Sequence, residues 1–244
     1  MQVCFDYLQI IDSKNLFLHY NLTKMSSHHI VRDDQEPALI IANGQSCSSE
    51  LLGQLLEWSP LVVVLDAAIK RVSKLDLKVD VLIGDFDINL KVDQYRESQY
   101  PIEIVYAPDQ EKTDLEKAFE FLIARKIPMV NVVWATGFRA DHTINNIASI
   151  AKYNHLLKIV ILDDYSKIFL LPQNFKKWYP KNTILSLVSM NTVSGISTQN
   201  LQYPLNNEVL EIGVRSGTSN LVANDGIVSI THHKGLLFLI ESND

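Results

Sequence analysis

The sequence predicts an α/β protein in which a parallel-sheet, Rossmann-like α/β domain is followed by a small C-terminal antiparallel β-sandwich domain. Two patterns carry this expectation. From Pro37 to Asp164, short β-rich runs alternate with amphipathic segments over short connections, the signature of a parallel sheet covered on both faces. Beyond Asp164 no long helical period remains, and short alternating runs take over. The expected division is an N-terminal extension over 1–36, an α/β domain over 37–164 and a β-sandwich domain over 165–244, with the boundary near Leu162 to Ser166.

The elements follow in order. The first two dozen residues show neither a helical nor a strand period and run into the polar stretch Met25 to Glu36, which makes Met25 a candidate start of translation. Ala38 to Asn43 reads as a strand, and Gly44 with a serine-rich turn caps a helix reaching Glu57. Leu61 to Asp66 is a second strand, apolar throughout and so expected to be covered on both faces, and Ala67 to Leu75 is a short helix. Val79 to Asp85 is a third strand that ends at a glycine and an acid; Ile102 to Ala107 and Met129 to Thr136 are the next two. Between those two lies the best helix, with Leu115, Ala118, Phe119, Leu122 and Ile123 on one face and a capping box of Thr113 and Glu116 at its start. Asp141 to Tyr153 is a further helix and Lys158 to Asp164 a sixth strand. Thr183 to Met190, Glu208 to Val214, Gly226 to His232 and Gly235 to Ile240 read as strands of the second domain.

Composition narrows the classes. A chain of 244 residues with 47% hydrophobic content can bury a sizeable core. Its net charge of −6 gives no electrostatic footprint for nucleic acid or an anionic membrane surface, so any phosphate must be met locally. No run approaches the ~20 apolar residues of a membrane helix, and the N-terminus lacks the pattern of a secretory signal. Cys4 and Cys47 are too few for a disulfide framework and lack metal-ligand spacing, which fits inert thiols in a reducing cytoplasm.

In open α/β sheets, ligands bind beyond the carboxyl ends of the strands. That rule gathers Asp66, Asp85, Asp87, Asp109, Asp114 and Asp141 at one crevice, a set of hard oxygen donors suited to Mg²⁺ with substrate phosphates. Acids at strand-to-helix turns also serve as helix caps, and at Asp114 the two readings stay open. Asp85 and Asp87 flank an aromatic directly after Gly84 and would repel each other without a cation between them. Arg139 can fork two phosphate oxygens, the helix beginning at Asp141 offers its dipole to an anion, and His142 can donate to phosphate or bond an acid. Gln110, Lys112 and Thr113 are plausible phosphate neighbours. Farther on, GTSN (Gly217 to Asn220) reads from pattern alone as a hairpin turn, and His232 and His233 as exposed and idle. Trp58, Trp134 and Trp178 lack the spacing of a stacking platform and read as core or interface.

VLIGDFD, DQEKTDLEKA and GFRADHTINNI, in that order, together with SLV, GISTQNLQYPL and GTSN downstream, resemble the motifs of the thiamine pyrophosphokinase family, with coverage from Pro37 to Ile240. The resemblance implies an ATP-binding α/β domain, a thiamine-binding β-sandwich and a homodimer with active sites between subunits. It implies Mg²⁺-dependent transfer of the diphosphate group of ATP to the hydroxyl of thiamine, giving thiamine diphosphate and AMP. By the same resemblance Asp85, Asp87, Asp114 and Asp141 are metal and phosphate-site acids, and Gln110, Lys112, Arg139 and His142 line the ATP phosphates. Ser219 and Asn220 hold the aminopyrimidine, with Tyr203 near the ring system. Two departures stand out: Ala67-Ala68 replaces the glycine pair common after the second strand, and Phe138 replaces a glycine before Arg139. The rivals are a diphosphokinase for another small alcohol such as a hydroxymethylpterin, a non-catalytic binder of thiamine or nucleotide, and a metal-dependent hydrolase, which the lack of a histidine-rich cluster disfavours.

Overall fold

A ten-stranded mixed sheet runs through the protein, and a four-stranded antiparallel sheet packs on one arm of it. The computed structural model describes residues 38–86 and 90–243; the expected extension, Met25, Cys4 and Asp87 lie outside them. The N-terminal half supplies β1 (Ala38–Ile41), β2 (Leu61–Leu65), β3 (Val81–Gly84), β4 (Glu103–Tyr106), β5 (Met129–Val133) and β6 (Lys158–Leu162). All five pairings among these strands are parallel, in the order β6-β5-β1-β2-β3-β4. The connections carry α1 (Ser49–Leu56), a turn of 3-10 helix at Asp66–Ala68 running into α2 (Ile69–Val72), α3 (Val92–Ser98), α4 (Asp114–Ala124) and α5 (Ala140–Tyr153).

Sequence pattern and burial agree along these strands. Every residue of β1, β3 and β5 is buried, as continuous apolar runs covered on both faces should be. One face packs Ala38, Ile40, Val63, Val81 and Val132 against Leu115, Ala118, Phe119 and Leu122 of α4 and Ile150 and Tyr153 of α5. The alternate residues Leu39, Ile41, Val62, Val64 and Leu82 are equally buried, as a period of two requires. Burial of the whole Phe119 side chain contributes roughly 2 kcal/mol. The capping box of α4 is formed: Thr113 Oγ1 accepts the Glu116 N–H at 3.3 Å, and the Glu116 carboxylate accepts the Thr113 N–H at 3.1 Å. Helix α3 escapes the sequence reading because Tyr95 is its one buried residue, so no apolar stripe marks it.

The C-terminal half contains β7 (Ser166–Leu170), β8 (Asn174–Tyr179), β9 (Ile184–Ser189), β10 (Val193–Gln199), β11 (Glu208–Leu210), β12 (Gly217–Leu221), β13 (Gly226–Thr231) and β14 (Leu237–Ser242). Strand β7 turns back antiparallel on β6, and β14, β9 and β12 extend the large sheet antiparallel beyond it. The sheet is therefore continuous through Leu162 to Ser166, where its pairing changes from parallel to antiparallel. Strands β11, β10, β13 and β8 form the second sheet. Leu185, Leu187 and Leu239 of the first sheet and Val193, Ile196, Val228 and Ile230 of the second share one core. A polar tie joins the same two sheets: Glu241 of β14 accepts from Lys177 at 2.7 Å and from the Tyr179 hydroxyl, both on β8.

Several expectations change here. GTSN is no hairpin turn but most of edge strand β12, paired with β9; the Ser219 N–H donates to Ser186 Oγ at 2.9 Å. Its turn-like composition reflects a register irregularity between Gly217 and Asn220 and the positive φ of Ser219. The run Glu208 to Val214 is strand only to Leu210, after which Glu211 and Arg215 close a hairpin over Gly213. Strands β7, β8, β10 and β12 were not expected, because their partners rather than their own apolar runs define them. Trp134 is core as expected, whereas Trp58 and Trp178 are exposed.

His232 is buried rather than exposed, at 5% accessibility, and among the described residues neither ring nitrogen has a hydrogen-bond partner of normal geometry. Burial pushes its pKa down, partly offset by the nearby Leu171 and Pro172 carbonyls. An unfolded chain takes up the proton near pH 6.5 and the folded chain only below that, so this ring's contribution is complete above the unfolded value and is lost as pH falls. Thermal unfolding between about pH 7.5 and 5.5 should show a steeper loss for the wild type than for His232→Leu. Equal slopes would refute the buried neutral imidazole.

Candidate active site

The strand order reverses between β1 and β5, and in open α/β sheets the crevice at such a point receives the ligand. A cavity of about 480 Å³ lies there, lined by segments that follow five consecutive parallel strands in the chain. It takes Asn43 and Gly44 after β1, Leu65 and Ala67 at the end of β2, Asp85 after β3, Gln110, Lys112 to Leu115 and Lys117 after β4, and Gly137 to Arg139, His142 and Asn146 after β5. Gly44 permits the floor: its N–H bonds the Trp134 carbonyl, and a β-carbon there would lie 2.3 Å from the Thr136 carbonyl oxygen. Arg71 ties the same loop by donating to the Gly44 carbonyl at 2.7 Å, with its guanidinium 4.4 Å from the Trp134 ring centroid.

Asp85 anchors the acidic side. Its carboxylate accepts from Gln110 Nε2 at 3.1 Å and lies 3.5 Å from Lys117 Nζ, which also meets Asp114 at 3.0 Å. Cap and carboxylate roles fall on different residues at the start of α4: Thr113 caps, and Asp114 faces Lys117. Lys117 is the site residue that sequence reasoning missed. Burial works against its charge, but the hydrogen bond to Asp114 and the charges of Asp114 and Asp85 outweigh it and raise its pKa. The available signal was a lysine three residues after Asp114 within the apolar face Leu115, Ala118 and Phe119.

Asp66 stands behind this group, lining a separate small pocket with Ala67, Lys70 and Leu90. It is 4% exposed, and its carboxylate accepts the Phe86 N–H at 2.9 Å. Burial, reinforced by Asp114, raises its pKa, and the bonds from Phe86 and Ala67 pull the other way. Phe86 holds φ +56 in the turn after Asp85, a conformation costing on the order of 1 kcal/mol or more that the Asp66 bond helps fix.

On the opposite wall Arg139 precedes α5 and pairs with Asp141, through Nε to Oδ1 at 3.1 Å and Nη2 to Oδ2. That pairing holds the Asp141 carboxyl down at about 2. Asp141 does not line the cavity, whereas Arg139 and His142 do. Lys112 lines it while pairing with Glu120 at 2.9 Å and Asp109 at 3.3 Å. Phe138 is exposed at φ +52, and Ala67 lines the cavity.

Tyr203, Ser219 and Asn220 form a second group, none of them lining this cavity. Asn220 is buried and latches the Tyr203 backbone: its Oδ1 accepts the Tyr203 N–H at 3.0 Å and its Nδ2 donates to the Tyr203 carbonyl at 2.7 Å. The Tyr203 ring and Ser219 are exposed. Cys47 is a free thiol whose pKa burial raises, and no described helix is long and apolar enough to cross a membrane.

Residues 52–161 match the thiamin pyrophosphokinase catalytic domain, and residues 171–237 match the thiamin pyrophosphokinase vitamin B1 binding domain. A thiamine pyrophosphokinase of Bacillus subtilis is 28% identical over 167 residues, which is 66% of this chain and 77% of that protein. Thiamin pyrophosphokinase 1 of Caenorhabditis elegans is 25% identical over 237 residues, 89% of this chain and 94% of its own. The fold is similar to that of a crystal structure of thiamine pyrophosphokinase from Bacillus subtilis, with TM-score 0.72, 23% identity and coverage of 85% of this chain and 99% of that one.

The packing at Gly84 yields a direct test. A β-carbon there would lie 2.3 to 2.6 Å from the Asp66 side chain, with nothing but that carboxylate to give way. Gly84→Ala should lower stability by about 1–3 kcal/mol in urea unfolding, through overpacking and a lost Phe86 bond. A wild-type midpoint would contradict this account of Asp66.

Proposed function

Since the chain belongs to the thiamin pyrophosphokinase family, we propose that it transfers the diphosphate group of ATP to the hydroxyl of thiamine, giving thiamine diphosphate and AMP, in the cavity beyond the parallel strands. The observation that carries the placement is the meeting of Asp85, Gln110, Lys112, Asp114, Arg139 and His142, from three separate chain segments, in one cavity of about 480 Å³.

Among the described residues no three His, Cys, Asp or Glu side chains form a ready metal cluster. Mg²⁺ needs none, since it is commonly held by one or two carboxylates with phosphates and waters completing its shell. Asp85 and Asp114 fit that donor set: both are hard oxygen ligands already drawn to one cation. We assign them as acids that would hold Mg²⁺, with Asp87 and Asp141 as further candidates. The bound ion would supply charge neutralisation across the ATP phosphates.

The chain's own groups position and stabilise. Arg139, half of whose fork is engaged by Asp141, turns to the phosphate oxygens, and that exchange releases Asp141. Lys112, Gln110 and His142 donate to the remaining oxygens, Thr113 sets the start of α4 beside them, and Asp66 holds the Asp85 turn. The thiamine hydroxyl oxygen bonds to the β-phosphorus as the bond to the bridging oxygen breaks; AMP leaves with that oxygen, and the hydroxyl proton passes to water.

Tyr203, Ser219 and Asn220 are our thiamine-binding group. They and the acidic cavity are lined separately within one chain, which supports a homodimer whose active site joins the cavity of one copy to the thiamine group of the other. Full turnover by a species that sediments as a monomer would exclude this arrangement. We read the parallel-stranded half as the ATP-binding domain and the two-sheet half as the thiamine-binding sandwich.

The test is AMP formation from Mg-ATP. Thiamine should stimulate it, a hydroxymethylpterin should not, and Asp85→Ala should lower the rate by about 100-fold or more at saturating Mg²⁺. Normal turnover by that variant would overturn the assignment.

A further inference from the structure

Lys117 is a cavity residue to which the scheme above gives no part. Its side chain is 5% exposed, on the buried face of α4, and its ammonium stands between two carboxylates from separate elements, 3.0 Å from Asp114 and 3.5 Å from Asp85. A cation so placed cannot be a solvated surface charge. Nor is it a simple helix pair, because its second partner lies thirty-two residues away on the loop after β3.

We propose that Lys117 is the resident counter-ion of this acid pair, occupying it until a divalent ion arrives and handing the carboxylates over to it. The proposal rests on the reading of Asp85 and Asp114 as the Mg²⁺ acids. Lysine and metal draw on the same two negative charges and repel each other at such short range, so they compete, and the coupling is reciprocal. A monovalent ammonium neutralises one of two negative charges, enough to hold the two acids together and too little to exclude a divalent ion. The polyphosphate of ATP offers the displaced ammonium a new anionic partner. Metal without nucleotide gains no such relief, so the device makes the ion bind well only together with its phosphates. Lys117 is thus a positioning residue that sets the order of loading.

Calorimetric titration of Mn²⁺ alone into the wild type, Lys117→Met and Lys117→Gln tests this. Both variants should bind Mn²⁺ roughly tenfold more tightly than the wild type, and the difference should shrink or reverse with α,β-methylene-ATP present. Without divalent ion the variants should melt below the wild type, because the acid pair has lost the buried positive charge of Lys117, and excess Mn²⁺ should close the gap. In the wild type, Mn²⁺ alone should raise the reactivity of Lys117 toward an amine-acylating reagent, read by peptide mass spectrometry, which tests the displacement even if the variants fold poorly. Equal or weaker Mn²⁺ binding in the variants, or unchanged Lys117 labelling on metal binding, overturns the counter-ion role and leaves the metal site standing. No Mn²⁺ bound by wild type or variants removes the metal reading itself, and this proposal with it.

Discussion

The carboxyl edge of the parallel strands carries a charge problem: Asp66, Asp85 and Asp114 crowd the ends of three segments with, among the described residues, one buried ammonium, Lys117, between the last two. Asp66 escapes by burial, its carboxyl raised and its oxygens committed to the Phe86 and Ala67 N–H groups. Asp85 and Asp114 share Lys117, and Asp85 also accepts from Gln110. The backbone complies at both points: Gly84 has no β-carbon where the Asp66 carboxylate lies, and Phe86 accepts a left-handed φ to carry the turn past it. A site under such repulsion suits the divalent cation of the proposed reaction, whose charge would relieve what the fold sustains.

The sheet explains why these acids meet at all. Parallel pairing sends each loop after a strand to the same edge, and the reversal of order between β1 and β5 opens the crevice there. From β7 onward the same sheet continues antiparallel and packs on the four-stranded sheet through the Leu185, Leu187, Ile196 and Ile230 core. Strand β12 ends that arm, and it carries Ser219 and Asn220 while Asn220 fixes the Tyr203 loop. One continuous sheet therefore bears both groups of residues that the proposed reaction needs, on different arms.

The parallel half was legible in the sequence because its signals are local. Continuous apolar runs gave β1 to β6, and the Thr113 and Glu116 box with its apolar stripe gave α4 nearly residue for residue. Asp85, Gln110, Arg139 and His142 could be grouped because strand-end loops of a parallel sheet share an edge. What escaped depends on partners far along the chain. Strands β8, β10 and β12 are polar on one side and owe their form to pairing, GTSN looked like a turn because its register slips, and the burial of His232 comes from packing rather than from its neighbours. Lys117 was missed for a related reason. A lysine on a helix reads as a solvated charge until the fold brings an acid from another strand to meet it.

On the proposed function, this cavity moves an intact diphosphate group from ATP to thiamine. This is tested most directly by incubating the protein with Mg²⁺, thiamine and ATP radiolabelled at the β-phosphate, then resolving the products. Label is expected in thiamine diphosphate in equal amount to the AMP released. Label in ADP or in free phosphates, with none on thiamine, would contradict it.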